Sequence, residues 1–188
     1  MNIPRNQGLG LIELMVTLAI IALLAVIGEP PLANMLRDNR LSAQANALNA
    51  AVVRARGEAV ARRGSVSICS STDSSLCRSS SASQWEGGWI VFVDTDNNGS
   101  RASGELLLAA AGTLPTGSTL RSSGFTNAGF VRFDARGVPD SAGTFTVCDA
   151  RGTASARSVA INAIGRVVRP VNASGVATSL TGGSLTCP

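Results

Sequence analysis

Four groups of residues have the types and spacing for chemistry. The first is a lone acid, Glu13, at the head of an apolar run. Leu9 to Gly28 spans 20 residues, about 30 Å as helix, which matches the core of a bilayer. A carboxylate in such a run costs about 2.5–3.5 kcal/mol on insertion scales, so it needs a partner. Hydrolysis after Gly8 would release an amine on Leu9, four residues before Glu13. On a neighbouring copy, that amine is the natural counter-charge.

The second group is Asp94-Thr95-Asp96-Asn97-Asn98-Gly99, followed by five residues and then Glu105. Asp94, Asp96, Asn98 and Glu105 satisfy the calcium-loop pattern of a helix–loop–helix module. The flanks argue against it, because Ile90–Val93 and Leu106–Leu108 read as strands. Asn-Asn-Gly is equally a hairpin-turn sequence, so the expected structure is a turn without a metal. The third group is Gly165-Arg166-Val167-Val168-Arg169. Guanidinium pairs grip phosphates without reading bases, which makes Arg166 and Arg169 candidates for contact with a phosphate backbone. In a strand, their spacing puts them on opposite faces.

The fourth group is Cys69, Cys77, Cys148 and Cys187. With no His and no CxxC pair, a zinc site is not expected. Four cysteines would form two disulfides in a chain exported across a membrane, and three pairings exist. Spacing favours Cys69–Cys77 and Cys148–Cys187. Catalysis has no candidate: the absence of His removes Ser–His and Cys–His pairs. The absence of Lys removes a phosphate-loop lysine. We expect a structural protein rather than an enzyme, with no cofactor. The basic residues are all Arg, 16 against 12 acids, a net charge of +4 that permits an anionic partner without requiring one.

The elements that position these groups are legible in outline. A secretory signal peptide would carry a small-residue cut site after its core, whereas Gly28-Glu29-Pro30-Pro31 follows here. A plain anchor leaves Glu13 unexplained. The prolines should bend or thin the helix near Gly28–Pro31. From Leu32 to Arg63 the helix resumes, with Leu48, Val52, Ala55 and Ala59 as a narrow apolar stripe and Gly64 just past its end. Arg54, Arg56, Arg62 and Arg63 read as a solvated face. Short β-like runs follow: Ser65–Cys69, Trp89–Val93, Glu105–Ala110, Ser118–Arg121, Gly129–Phe133, Gly143–Cys148, Arg157–Ala163 and Arg166–Val168. They predict a sandwich or folded sheet, with 70–84 a Ser-rich loop restrained by its disulfide.

The N-terminal segment, Gln7-Gly8-Leu9-Gly10-Leu11-Ile12-Glu13 and the apolar run after it, resembles the class III signal of type IV pilins and type II secretion pseudopilins. Leu9 and Gly10 stand where that family usually has Phe and Thr. The resemblance implies cleavage after Gly8 by a prepilin peptidase, methylation of Leu9 and docking through Glu13. The head resembles the minor pilins and pseudopilins of the FimT, FimU and GspH group. Trp85–Asp94, Gly104-Glu105, Phe133-Asp134-Ala135-Arg136-Gly137, Phe145–Cys148 and Ile161–Arg166 carry that likeness. It implies an α+β fold in which a long N-terminal helix packs on an antiparallel β-sandwich-like head.

The expected organisation is a leader at 1–8, a transmembrane helix at 9–28, a periplasmic helical half at 29–64 and a head at 65–188. The implied place is the inner membrane, with the head in the periplasm until the subunit enters a filament. Implied partners are other minor pilins and the major pilin. The implied role is to prime or cap a type IV pilus. The alternatives are a DNA receptor in natural transformation and a type II secretion pseudopilin. DNA-uptake pilins of the group carry Gly-Arg-x-Arg, and the second arginine here comes one residue late.

Overall fold

The computed structural model describes residues 10–79 and 83–188, and for 25–31 the backbone alone. It divides into two units, one ending at Asn39 and one spanning Arg40–Pro188. A single helix, α1 (Leu11–Arg62), runs through both. It passes Gly28–Pro31 without interruption, so the prolines do not thin it as the sequence suggests. A proline removes one hydrogen bond, and helix-forming residues on both sides carry the turn across the gap.

The helix ends differently from expectation. Arg63, not Gly64, takes the left-handed conformation, with φ 52°. Arg63 N–H then donates to Val60 and Gly64 N–H to Ala59, at 3.3 and 3.2 Å. This double closure satisfies the last carbonyls and offsets the cost of a left-handed non-glycine residue, about 1–2 kcal/mol.

Eight strands follow: β1 (Val66–Ser70), β2 (Trp89–Val93), β3 (Leu107–Ala111), β4 (Thr119–Ser123), β5 (Phe130–Phe133), β6 (Gly143–Cys148), β7 (Arg157–Ile161) and β8 (Val167–Val168). They form two antiparallel four-stranded sheets, ordered β3-β2-β1-β5 and β4-β6-β7-β8. In the Arg40–Pro188 unit, α1 buries Leu41, Ala45, Leu48, Val52, Ala55 and Ala59. The spacing of three and four residues puts these on one stripe, and the alanines let the helix approach closely. Ile68, Val91 and Phe133 meet it from the first sheet, and Leu120, Phe145 and Val159 from the second, in one apolar cluster. Trp85 closes this cluster edge-on to Phe145, with ring centroids 4.8 Å apart. Its indole N–H is satisfied by the Ala128 carbonyl at 2.9 Å.

Disulfides join Cys69 to Cys77 and Cys148 to Cys187. The first ties the Ser-rich loop to β1, although residues 80–82 of that loop lie outside the described residues. The second holds the C-terminal arm, whose Leu185 is buried beside Cys148 and Ala156.

Candidate functional site

At the N-terminus, Gly8 and Leu9 lie outside the described residues. Glu13 sits in the first turn of α1, where its backbone N–H donates to Gly10 at 3.0 Å. The positive end of the helix dipole favours a carboxylate there. Glu13 is exposed, and so are Leu11, Ile12, Leu14, Met15, Leu18, Ile21 and Leu24. These residues cover every side of the helix, so no single face explains them. Among the described residues, no helix is long and apolar enough to cross a membrane. The described side chains of the apolar run stop at Leu24, short of its end at Gly28.

In the head, the acidic loop between β2 and β3 draws Asp94, Asp96 and Glu105 together, with carboxylate oxygens within 4.8 Å of one another. Their other neighbours explain why. Asp94 accepts from Ser67 Oγ at 2.6 Å and from the amides of Asn98 and Gly99 at 3.1 and 3.0 Å. Glu105 accepts from the Thr95 amide and hydroxyl and from the Ala102 amide. Burial opposes the charged form of Glu105. The amides of Ala102 and Thr95 and the Thr95 hydroxyl outweigh it, holding the carboxyl below its usual range. Asn98, the third residue of the calcium-loop pattern, donates to Asp96 and accepts from the Ser100 amide. Arg101 donates to the Glu105 carbonyl and adds a positive charge to the loop. The acids thus build a turn between strands, and no helix flanks it.

The Arg166 region is a turn of a recurring kind. In 134–138, 162–166 and 172–176 an Asp or Asn starts the turn and a glycine stands fourth. The first side chain accepts from the amides two and four residues on. Gly165 is required twice over. Its φ is +76°, and a β-carbon would fall 2.3 Å from the Gly137 carbonyl oxygen. That carbonyl accepts from Arg56 Nε at 3.0 Å, which pins the Gly137 turn to α1, and the Gly165 turn packs against the same carbonyl. Arg56 was expected on a solvated face; nothing in its spacing announced this contact.

Arg166 is exposed. Arg169, just past the end of β8, is exposed as well. Its guanidinium donates to the Asn46 side chain of α1. Arg169 must therefore give up that bond to join Arg166 on a phosphate.

Comparison with known proteins places these features in context. Residues 44–165 match the family described as type II transport protein GspH. Residues 3–28 match the prokaryotic N-terminal methylation motif. Two crystal forms of the type IV minor pilin FimU from Pseudomonas aeruginosa (strain PAO1) are similar to this chain, each at 25% identity. One match covers 77% of this chain and 96% of that one with TM-score 0.57, and the other 73% and 97% with TM-score 0.52. No curated protein matches the sequence.

Proposed function

Because the chain belongs to the GspH/FimU family of type IV minor pilins and pseudopilins, we propose that it is a filament subunit that helps prime or cap a type IV pilus. The family consists of structural proteins rather than enzymes. In this reading a prepilin peptidase cuts after Gly8 and methylates Leu9. The subunit waits in the inner membrane, anchored by residues 9–28, with residues 29–64 and the head 65–188 in the periplasm. It then docks beside other minor pilins and the major pilin, with Glu13 facing a neighbour's N-terminal amine. The observation that carries the reading is a match to the methylation motif over residues 3–28 in a chain whose head matches a minor pilin.

The test is a mass spectrum of the protein purified from filaments of its native host. The expected N-terminus is methylated Leu9. A chain still beginning at Met1 in assembled material would end the proposal. The second reading, a subunit of a type II secretion pseudopilus, is favoured by the description of the matching family. Deletion of the gene separates the two: loss of pili supports the first, and loss of protein secretion with pili intact supports the second.

A further inference from the structure

Two four-stranded sheets present four edge strands: β3, β5, β4 and β8. An open edge offers unpaired N–H and C=O groups to any extended chain, so folded proteins usually blunt it. Three of these edges are blunted. Along β4, Trp85 N–H donates to Leu120 and Ser122 N–H to Ser83, with Gln84 bridged to Arg121. Along β5, Arg132 and Asp140 exchange hydrogen bonds and Phe133 is bridged to Pro139. β8 is two residues long and lies between Arg166 and the Arg169-Pro170 pair.

β3 is different. From Leu106 to Gly112 the sequence is Leu-Leu-Leu-Ala-Ala-Ala-Gly, without charge or proline. Among the described residues, no segment besides β2 hydrogen-bonds to its backbone. Its register shows which groups are free. Asp94 N–H and the Gly88 carbonyl point to the β1 side, so Trp89, Val91 and Val93 point to β3. They face Ala111, Ala109 and Leu106. Alternation then turns the N–H and C=O of Leu107 and Ala110 away from the sheet. A bulge opposite Val91 and Phe92 spaces them three apart and leaves Ala109–Ala111 regular. Ala110 is exposed, and Leu106, at the start of the run, is 54% exposed.

We propose that the outer edge of β3 receives an extended, uncharged strand from a different subunit beside it in the same filament. Only an extended backbone matches the free groups of Leu107 and Ala110, and the alanines leave room for it to approach. A charged strand would bury its charge against Leu106 and Leu107. A ladder of five residues is far smaller than the roughly 1,000 Å² a freestanding complex needs. The donor must therefore be held alongside, as a subunit sharing the filament is, at an effective concentration on the order of millimolar. The proposal rests on the assembly reading above.

The test uses the full chain in its native host, with a photoreactive residue in place of Leu106. The expected product is an adduct with another filament subunit, mapped to an extended segment. Ala110→Pro deletes a free-edge N–H without touching the β2 ladder, and should lower the adduct yield about tenfold, the scale of one or two lost hydrogen bonds. Ala110→Lys keeps the backbone and adds charge, and should do the same. An unreduced peptide map showing both disulfides establishes that each head is folded. A chain present in filaments without adduct, or variants that crosslink like the parent, overturns the edge proposal and leaves the assembly reading intact. An adduct joining two copies of this chain overturns the choice of partner. A chain missing from filaments overturns both.

Discussion

One helix lives under two regimes. Between Leu41 and Ala59, α1 buries every third or fourth side chain in a core completed by two sheets. Between Leu11 and Leu24 the same helix exposes Leu, Ile, Val and Met on all sides. Helical structure is common to both, so it does not decide burial; what surrounds the helix does. The head finishes itself with a closed core and two disulfides. Among the described residues, the side chains from Leu11 to Leu24 are all exposed. Covering even half of the apolar ones is worth on the order of 10 kcal/mol. In the proposed function, that free energy comes from lipid or from other helices.

The sharpest way to break this contrast is Glu13→Ala. It removes the one charge in the exposed half, so the helix becomes more apolar and should remain in place for cleavage. Docking should fail, because the neighbour's amine then enters an apolar bundle without a counter-charge. Incorporation into filaments should drop by more than about tenfold, with processed subunit accumulating in membranes. A variant that incorporates normally would show that apolar packing alone drives assembly.

In the head, the largest stability effect should come from the covalent closure of its C-terminal arm. Cys148–Cys187 spans 39 residues and Cys69–Cys77 spans 8. In the chain-entropy account these are worth about 4 and about 2.5 kcal/mol. Paired Cys→Ser variants, followed by denaturant unfolding of the processed chain, should rank in that order. The arm would also lose its hold on Leu185. Equal losses, or the reverse order, would mean that strain or residual structure outweighs loop closure.

The sequence reveals this molecule where one physical rule governs alone. All eight strands are foreshadowed, because short apolar runs between glycine-rich turns, most of them with β-branched or aromatic residues, have few other fates. The buried stripe Leu48, Val52, Ala55 and Ala59 follows from helical period. What the sequence hides depends on distant contacts. Arg56 looks like any solvated arginine until the turns at Gly137 and Gly165 arrive beneath it. The free edge of β3 is invisible until strand order is known, since Leu-Leu-Leu-Ala-Ala-Ala reads equally well as a central strand. The Asp-x-Asp-x-Asn-Gly pattern shows the converse. Its oxygens serve backbone amides of the loop itself, a use that pattern matching does not register.

A smaller and more local effect should come from Gly165→Ala. The added β-carbon meets both a positive φ and the Gly137 carbonyl at 2.3 Å. Together these should cost about 2–3 kcal/mol. The adjacent Ile164→Ala, at a side chain 65% exposed, should change stability by no more than about 0.5 kcal/mol. Thermal unfolding of both variants measures the difference. If they match, the Gly165 turn is not held against the Gly137 carbonyl as the geometry indicates.

The smallest expected effect concerns DNA, and it asks whether the head surface is as self-contained as its core. Arg166 is exposed, whereas Arg169 is turned toward α1 and occupied by Asn46. A guanidinium engaged with a neutral amide keeps its charge, but it must give up that bond to reach a phosphate. Each phosphate neutralised contributes a slope of about −0.9 in log affinity against log salt. Two arginines acting together would give about −1.8; one would give half of that. The geometry favours the smaller figure, with binding too weak to measure at physiological salt. Arg166→Gln should remove whatever slope exists, while Arg169→Gln should leave it unchanged and loosen only the contact with Asn46. Tight duplex binding lost equally in both variants would mean that Arg169 leaves the helix to join Arg166. The head would then complete a site on meeting its partner, as the exposed half of α1 is expected to do.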